Sequence, residues 1–281
     1  MIEQRKSAKA FPHVVLWISI LIIIFPIYFV FVASTRTSAE ILAAPMPIYP
    51  GPHFIENYRR ALTEGAVNLG ASAFTMMKNS FIMAMGISIG KIVVSLLAAF
   101  AIVFFNFPGR KFCFWAIFIT LMLPVEVRIM PTYKVISDLG MINTYAGLIL
   151  PMIVSATAVF LFRQFFMSVP REIAEASQID GASSMQFFRR ILVPMTQTPI
   201  AAMFVIQFIY GWNQYLWPLL ITTKQEYYTL LIGINRMLSG ADVMIEWQIV
   251  MATVLLALIP PVLVVIIMQK QFVAGMTDTE K

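Results

Sequence analysis

Only one cysteine, Cys113, occurs in the 281 residues, which excludes an intrachain disulfide and any cysteine-cluster metal site. Histidine is nearly as scarce: His13 and His53 stand far apart with no carboxylate cluster nearby, so no metal site is expected. Charge is thin as well. Asp, Glu, Lys and Arg make up 12% of the residues, against roughly 25% in a soluble domain. No basic block carries interleaved aromatics, so the net charge of +6 points to lysines and arginines flanking membrane helices rather than to nucleic acid. A nucleotide-binding loop is missing too. Gly86-x-x-x-Gly90-Lys91 is one residue short, is followed by Ile92 rather than Ser or Thr, and lies in an apolar run. Without a His–carboxylate pair or a nucleophile elbow, nothing supports a membrane enzyme.

Apolar residues are abundant instead, at 59% of the chain and a mean hydropathy of +0.81. They gather into runs near the length that crosses about 30 Å of hydrocarbon as a helix. Six spans are read, at about 14–33, 80–105, 112–133, 145–166, 199–221 and 249–268. They give an all-α integral membrane fold, a single transmembrane domain over 1–281. The first span is too long for a signal-peptide core and has no well-placed small-residue cleavage site, so it is expected to be retained. Residues 34–79 form a polar, Pro-rich segment with an amphipathic helix candidate, Phe54–Leu62, and 106–111 form a tight basic turn.

Six spans put both termini on one side. The N-terminus, the 106–111 turn, the 163–194 loop and the tail together hold Arg5, Lys6, Lys9, Arg110, Lys111, Arg163, Arg171, Arg189, Arg190, Lys270 and Lys281. The opposite side has fewer basic residues, on longer loops, so both termini are expected in the cytoplasm.

That orientation exposes Ser168–Pro194 to the cytoplasm, and this stretch is the most structured connector in the chain. Pro170 and Glu172 suit a helix start. Ile173, Ala176 and Ile179 recur at helical spacing, and Asp180-Gly181 stops the helix with a glycine free to turn left-handed. Ser183-x-x-Gln186 is a capping box that opens a second short helix carrying Met185, Phe187, Phe188, Ile191 and Leu192, with Pro194 expected to end it.

Glu175-Ala176-Ser177, then Gly181, then Ile191-x-x-Pro194 resembles the EAA loop of ABC-importer permeases, with Ser177 for the third alanine and Val193 for a leucine. The extended form from Pro170 to Ala182 is similar to that of the sugar-type permeases. Trp212-Asn-Gln-Tyr-Leu-Trp-Pro-Leu219 and Gln271–Met276 resemble the carbohydrate-type permeases related to the maltose G subunit. Phe118–Ile129 and Leu161–Met167 further resemble the smaller permease subunits of bacterial sn-glycerol-3-phosphate importers. The resemblance implies a type I importer fold with loop 168–194 as a coupling helix seated on an ATPase. Glu172, Glu175, Ala176, Ser177, Asp180, Gly181, Ala182, Ile191 and Pro194 would carry the coupling. It also implies a bacterial inner-membrane protein paired with a homologous second permease, two copies of a cytoplasmic ABC ATPase and a periplasmic binding protein. No cofactor is expected on this chain itself; ATP and magnesium would sit on the ATPase.

Residues that could meet substrate are few. Lys91 lies about 17 Å into its span at about 1.5 Å per residue, where a cation must face protein or water. It meets a phosphate, pairs with Glu126 or a carbonyl, or snorkels from a tilted helix. Glu126 and Arg128 follow Pro124 near the end of the third span; Arg128 could grip a phosphate, bridge Glu126, or sit at headgroup level. Asn213, Gln214 and Tyr215 offer amide and hydroxyl groups to a sugar or glycerol, or to a neighbouring helix. The expected substrate is sn-glycerol 3-phosphate or a glycerophosphodiester. A permease for a neutral sugar or oligosaccharide is the alternative, and from another class an ATP-independent secondary carrier, which would leave Ser168–Pro194 without a role.

Overall fold

The structure, a computed structural model, describes residues 6–67, 69–120, 125–239 and 244–277. The described residues are mostly helical and contain no strand, so the fold is all-α. In chain order the helices are α1 (Lys6–Ser34), α2 (Ser38–Leu42), α3 (Phe54–Thr63), α4 (Ala73–Phe104), α5 (Arg110–Ile119), α6 (Val125–Asp138) and α7 (Tyr145–Ile149). They continue as α8 (Ala156–Ser168), α9 (Arg171–Ile179), α10 (Ser184–Phe187), α11 (Val193–Met195), α12 (Gln197–Trp212), α13 (Leu216–Ile221), α14 (Leu230–Leu238) and α15 (Trp247–Thr277).

Three of these are long and apolar enough to cross a membrane among the described residues: Pro12–Ser34 within α1, α4, and Trp247–Gln269 within α15. Two bent pairs, α7 with α8 (50°) and Ser184–Met195 with α12 (75°), bring the number to as many as five. The expected third span falls on α5 and α6, and residues 121–124 between them, including Pro124, lie outside the described residues. α1 exposes apolar side chains from Val14 to Phe29 almost without interruption, as a helix bathed in lipid does. α4 starts at Ala73 rather than near Ser80, because Ser72 caps it: its Oγ accepts from the Thr75 N–H at 3.3 Å.

Two expectations fail on proline and on aromatic context. Pro194 does not end the second short helix. The chain passes through a π turn, Phe188–Leu192, into α11, which contains Pro194, and bends at Thr196. A proline offers no N–H to the carbonyl one turn back, and a wide turn ahead of it absorbs that missing bond. The fifth apolar run is likewise not one helix. α12 ends at Trp212 and α13 begins at Leu216, with Asn213 capping the first and Tyr215 preceding the second.

The chain divides into two compact units, 1–76 with 233–259, and 77–232 with 260–281. In the first, the buried Asn57 on the amphipathic α3 donates to the carbonyls of Ser34 and Arg36, each at 2.9 Å. Arg60 one turn on pairs with Glu246 at 2.6 Å, whose other oxygen accepts from the Val67 N–H at 2.9 Å. The Pro-rich segment is thus pinned by polar contacts that its apolar content could not supply.

The second unit holds the apolar core that positions the site. Ile92, Leu96, Ala99 and Phe100 of α4 pack with Phe162 and Phe166 of α8 and with Phe187, Phe188 and Leu192. Gly86 and Gly90 let α4 lie against the segment around Pro151: a Cβ on Gly86 would meet Ile149 at 2.6 Å, and one on Gly90 would meet Ile153 at 2.5 Å. The Gly-x-x-x-Gly spacing therefore serves close helix approach.

Candidate functional site

Lys91 follows Gly90 on α4, so the packing that Gly90 permits also fixes where the ammonium goes. The residue is 6% exposed. Its Nζ donates to Gln207 Oε1 at 3.0 Å and lies 3.6 Å above the Tyr210 ring. Gln207 and Tyr210 are one turn apart on α12 and share a face. An amide oxygen and a ring face leave the ammonium's remaining protons available, since neither partner is an anion.

These groups border a cavity of about 480 Å³ whose other walls include Arg128, Thr132, Ser155 and Thr157. Arg128 stands on α6 and is exposed. Ser155 caps α8, its Oγ accepting from the Ala158 N–H at 3.3 Å. The next two residues, Ala156 and Thr157, also border the cavity, and their N–H groups have no partner inside the helix. Two cationic side chains and one helix N-terminus thus line one cavity, a chemistry that suits an oxyanion.

Of the residues singled out from sequence, Lys91 and Arg128 come together here. The side chain of Glu126 lies outside the described residues, and Lys91 takes Gln207 as its hydrogen-bond partner. Asn213, Gln214 and Tyr215 do not border the cavity; they occupy the α12–α13 break, where Gln214 Nε2 donates to the Tyr210 carbonyl at 3.2 Å. Gln207 and Tyr210 were missed. The available signal was a lone amide in the apolar run Ile200–Ile209, which must find a partner inside the bundle.

The Ser168–Pro194 segment folds as its punctuation dictates. α9 is closed by Gly181 at φ +74°, and the Ala182 N–H reaches back to the Ser177 carbonyl at 3.0 Å. Ser183 and Gln186 form the reciprocal capping box. Phe188 then stacks near Phe100 with ring centroids 4.8 Å apart, so the second half of the segment is anchored in the core. Ile191 packs partly against that core, and Pro194 is exposed. Glu172, Glu175, Ala176, Asp180 and Gly181 are exposed, Ala182 is half-buried, and Ile179 at the tip is 87% exposed. Ser177 turns inward, 4% exposed, with no hydrogen-bond partner for its hydroxyl.

A chain of this kind is an all-helical membrane permease. Residues 91–278 match the family described as binding-protein-dependent transport system inner membrane component, and the chain belongs to that family. It is similar over its whole length, and over the whole of each relative, to proteins named sn-glycerol-3-phosphate transport system permease protein UgpE. Identity is 55% to that of Brucella melitensis, 54% to that of Rhizobium meliloti and 53% to that of Escherichia coli O6:K15:H31. The fold is shared with a chain of a bacterial ABC transporter involved in the import of the acidic polysaccharide alginate. That match has a TM-score of 0.82 at 20% identity, over 97% of this chain and 100% of that one.

Proposed function

We propose that this permease carries sn-glycerol 3-phosphate, or glycerophosphodiesters of the same headgroup chemistry, across the inner membrane. The observation that carries the reading is the identity of 53–55%, end to end, to permeases named for sn-glycerol-3-phosphate transport. The cavity gives it a chemical basis: Lys91, Arg128 and the α8 N-terminus offset the hydration a phosphate loses on a narrow path.

The chain works as one half of a heterodimer with a second, homologous permease, served by a periplasmic binding protein and two copies of a cytoplasmic ABC ATPase. ATP and magnesium are bound and used on the ATPase, so this subunit is not itself an enzyme. Both termini and Ser168–Pro194 face the cytoplasm. The α9 tip, with exposed Glu172, Glu175, Ile179 and Asp180 ahead of Gly181, docks on the ATPase, while Phe187, Phe188 and Leu192 pass its movement into the core.

The test is uptake by the complete complex in proteoliposomes. Labelled sn-glycerol 3-phosphate should accumulate only with ATP inside and binding protein outside, and excess maltose should not compete. Accumulation of a neutral sugar in its place would establish the alternative substrate class. Uptake independent of ATP would instead make the chain a secondary carrier.

A further inference from the structure

A second cavity, of about 930 Å³, lies along the same two helices as the first. Thr120, Ala156 and Thr157 border the Lys91 cavity, whereas Phe118, Phe160 and Arg163 border the second. From Thr157 to Arg163 is about 9 Å along α8 at about 1.5 Å per residue. The rings of Phe118, two residues before the first cavity's Thr120, and Phe160, three residues after its Thr157, meet on the second cavity's wall with centroids 5.7 Å apart. An aromatic pair on the wall of the second cavity is thus next along α5 and α8 to residues that line the first.

The second cavity is also cationic. Arg110, Lys111, Arg163 and Arg171 line it, against Glu175 as the carboxylate among its described lining residues. Arg163 is the residue left incomplete. Its guanidinium lies 4.1 Å above the Phe114 ring, and its Nε is buried without a hydrogen-bond partner. Stacking uses the face of a guanidinium and leaves its N–H edge free for an oxyanion. A buried N–H with no acceptor is costly, which favours a turn of the side chain that brings its N–H edge to a phosphate oxygen in the cavity.

We infer that this cavity is a second anion site, which receives the phosphate ester once it has passed the Phe118–Phe160 pair, with Arg163 gripping the phosphate. The inference rests on reading the chain as a phosphate-ester permease. A charged solute leaving Lys91 and Arg128 crosses an aromatic boundary more readily when a cation waits on the far side. Arg163 is that cation, and Arg110 and Lys111 extend the positive wall toward the basic 106–111 turn. Glu175 sets a carboxylate at the same mouth, on the helix assigned to the ATPase, so movement of α9 would alter how tightly the anion is held.

The experiment uses Gln164, which borders the cavity beside Arg163. It is replaced by Cys in a chain whose Cys113 is replaced by Ser, and the assembled complex is labelled in inside-out vesicles with small thiol reagents of opposite charge. The anionic reagent should outpace the cationic one by about tenfold. Labelling should slow at least about threefold with saturating sn-glycerol 3-phosphate and not with glycerol. Arg163→Gln should erase the protection and weaken the charge preference, which Arg110, Lys111 and Arg171 also support, and Arg163→Lys should keep the charge preference, which separates lost charge from lost folding. Equal rates for the two reagents, or protection that survives Arg163→Gln, overturns the site. Protection by other phosphate esters but not by sn-glycerol 3-phosphate keeps the site and overturns the substrate reading. Vesicles of phosphatidylcholine alone are compared with vesicles containing phosphatidylglycerol. Protection that needs the anionic lipid, without soluble ester, assigns the arginine to a lipid headgroup and overturns its place on the path.

Discussion

Lys91 and Gln207, 116 residues apart in sequence, meet at 3.0 Å inside the helical bundle. The amide oxygen stabilises a buried ammonium without neutralising it, so the cavity keeps its positive charge. Replacing Gln207 by Leu removes the acceptor and should destabilise the assembled complex by about 1.5–3 kcal/mol. Adding Lys91→Met to that chain should recover part of the loss, because the unsatisfied charge is gone. Thermal unfolding of the four chains of this cycle measures the coupling. Strictly additive costs would mean that the two side chains do not support one another.

Gly90 sets the distance between α4 and the segment that borders the cavity. A Cβ there would lie 2.5 Å from Ile153 Cγ2 and 2.9 Å from Ile153 Cβ. Gly90→Ala should therefore cost about 1–3 kcal/mol through overpacking. Ile153→Ala in the same chain should recover most of it. No recovery in thermal unfolding would move the cause from this contact to helix flexibility.

Gly181 faces open space, with nothing within 4 Å of where a Cβ would lie, yet sits at φ +74°. A substitution there acts through the backbone alone. Gly181→Leu should strain the turn by about 1–2 kcal/mol, while Gly181→Asn should be tolerated because Asn visits this conformation. ATP-driven uptake should fall sharply in the first and stay near wild type in the second. Equal uptake by both would detach the turn from coupling.

Ser177 stands where the EAA pattern has alanine, and its buried hydroxyl has no partner. Ser177→Ala should leave stability unchanged or raise it by about 1 kcal/mol. A fall in the unfolding temperature would show that the hydroxyl is satisfied when the ATPase is bound.

Much of this was legible because hydropathy and punctuation act locally. The long apolar helices follow from runs such as Val14–Ala33, and the α9 turn from Asp180-Gly181 and the Ser183–Gln186 box. Lys91 stood out as a cation in an apolar run, and Arg128 as one beside Pro124. What stayed hidden depends on tertiary contacts. Gln207 gains its meaning only when α12 meets α4. Asn213–Tyr215 breaks a run whose flanking tryptophans keep it apolar, so composition did not reveal the end of α12. Pro194 passed for a terminator because a π turn leaves no compositional trace. Arg163 counted only as a loop charge until its stacking on Phe114 placed it in a cavity.

We propose that fixed positive charge at Lys91 and Arg128 meets a phosphate on the transport path. The most direct test is the initial rate of labelled sn-glycerol 3-phosphate uptake by the reconstituted complex, comparing wild type with Lys91→Gln and Arg128→Gln. ATP hydrolysis by the partner subunits, measured in the same vesicles, reports assembly. Loss of one charge-assisted contact, about 1.5–3 kcal/mol, should lower uptake at least about tenfold in each variant while ATP hydrolysis continues. Wild-type uptake by both variants would contradict the claim and leave a permease whose path does not sense phosphate through these two residues.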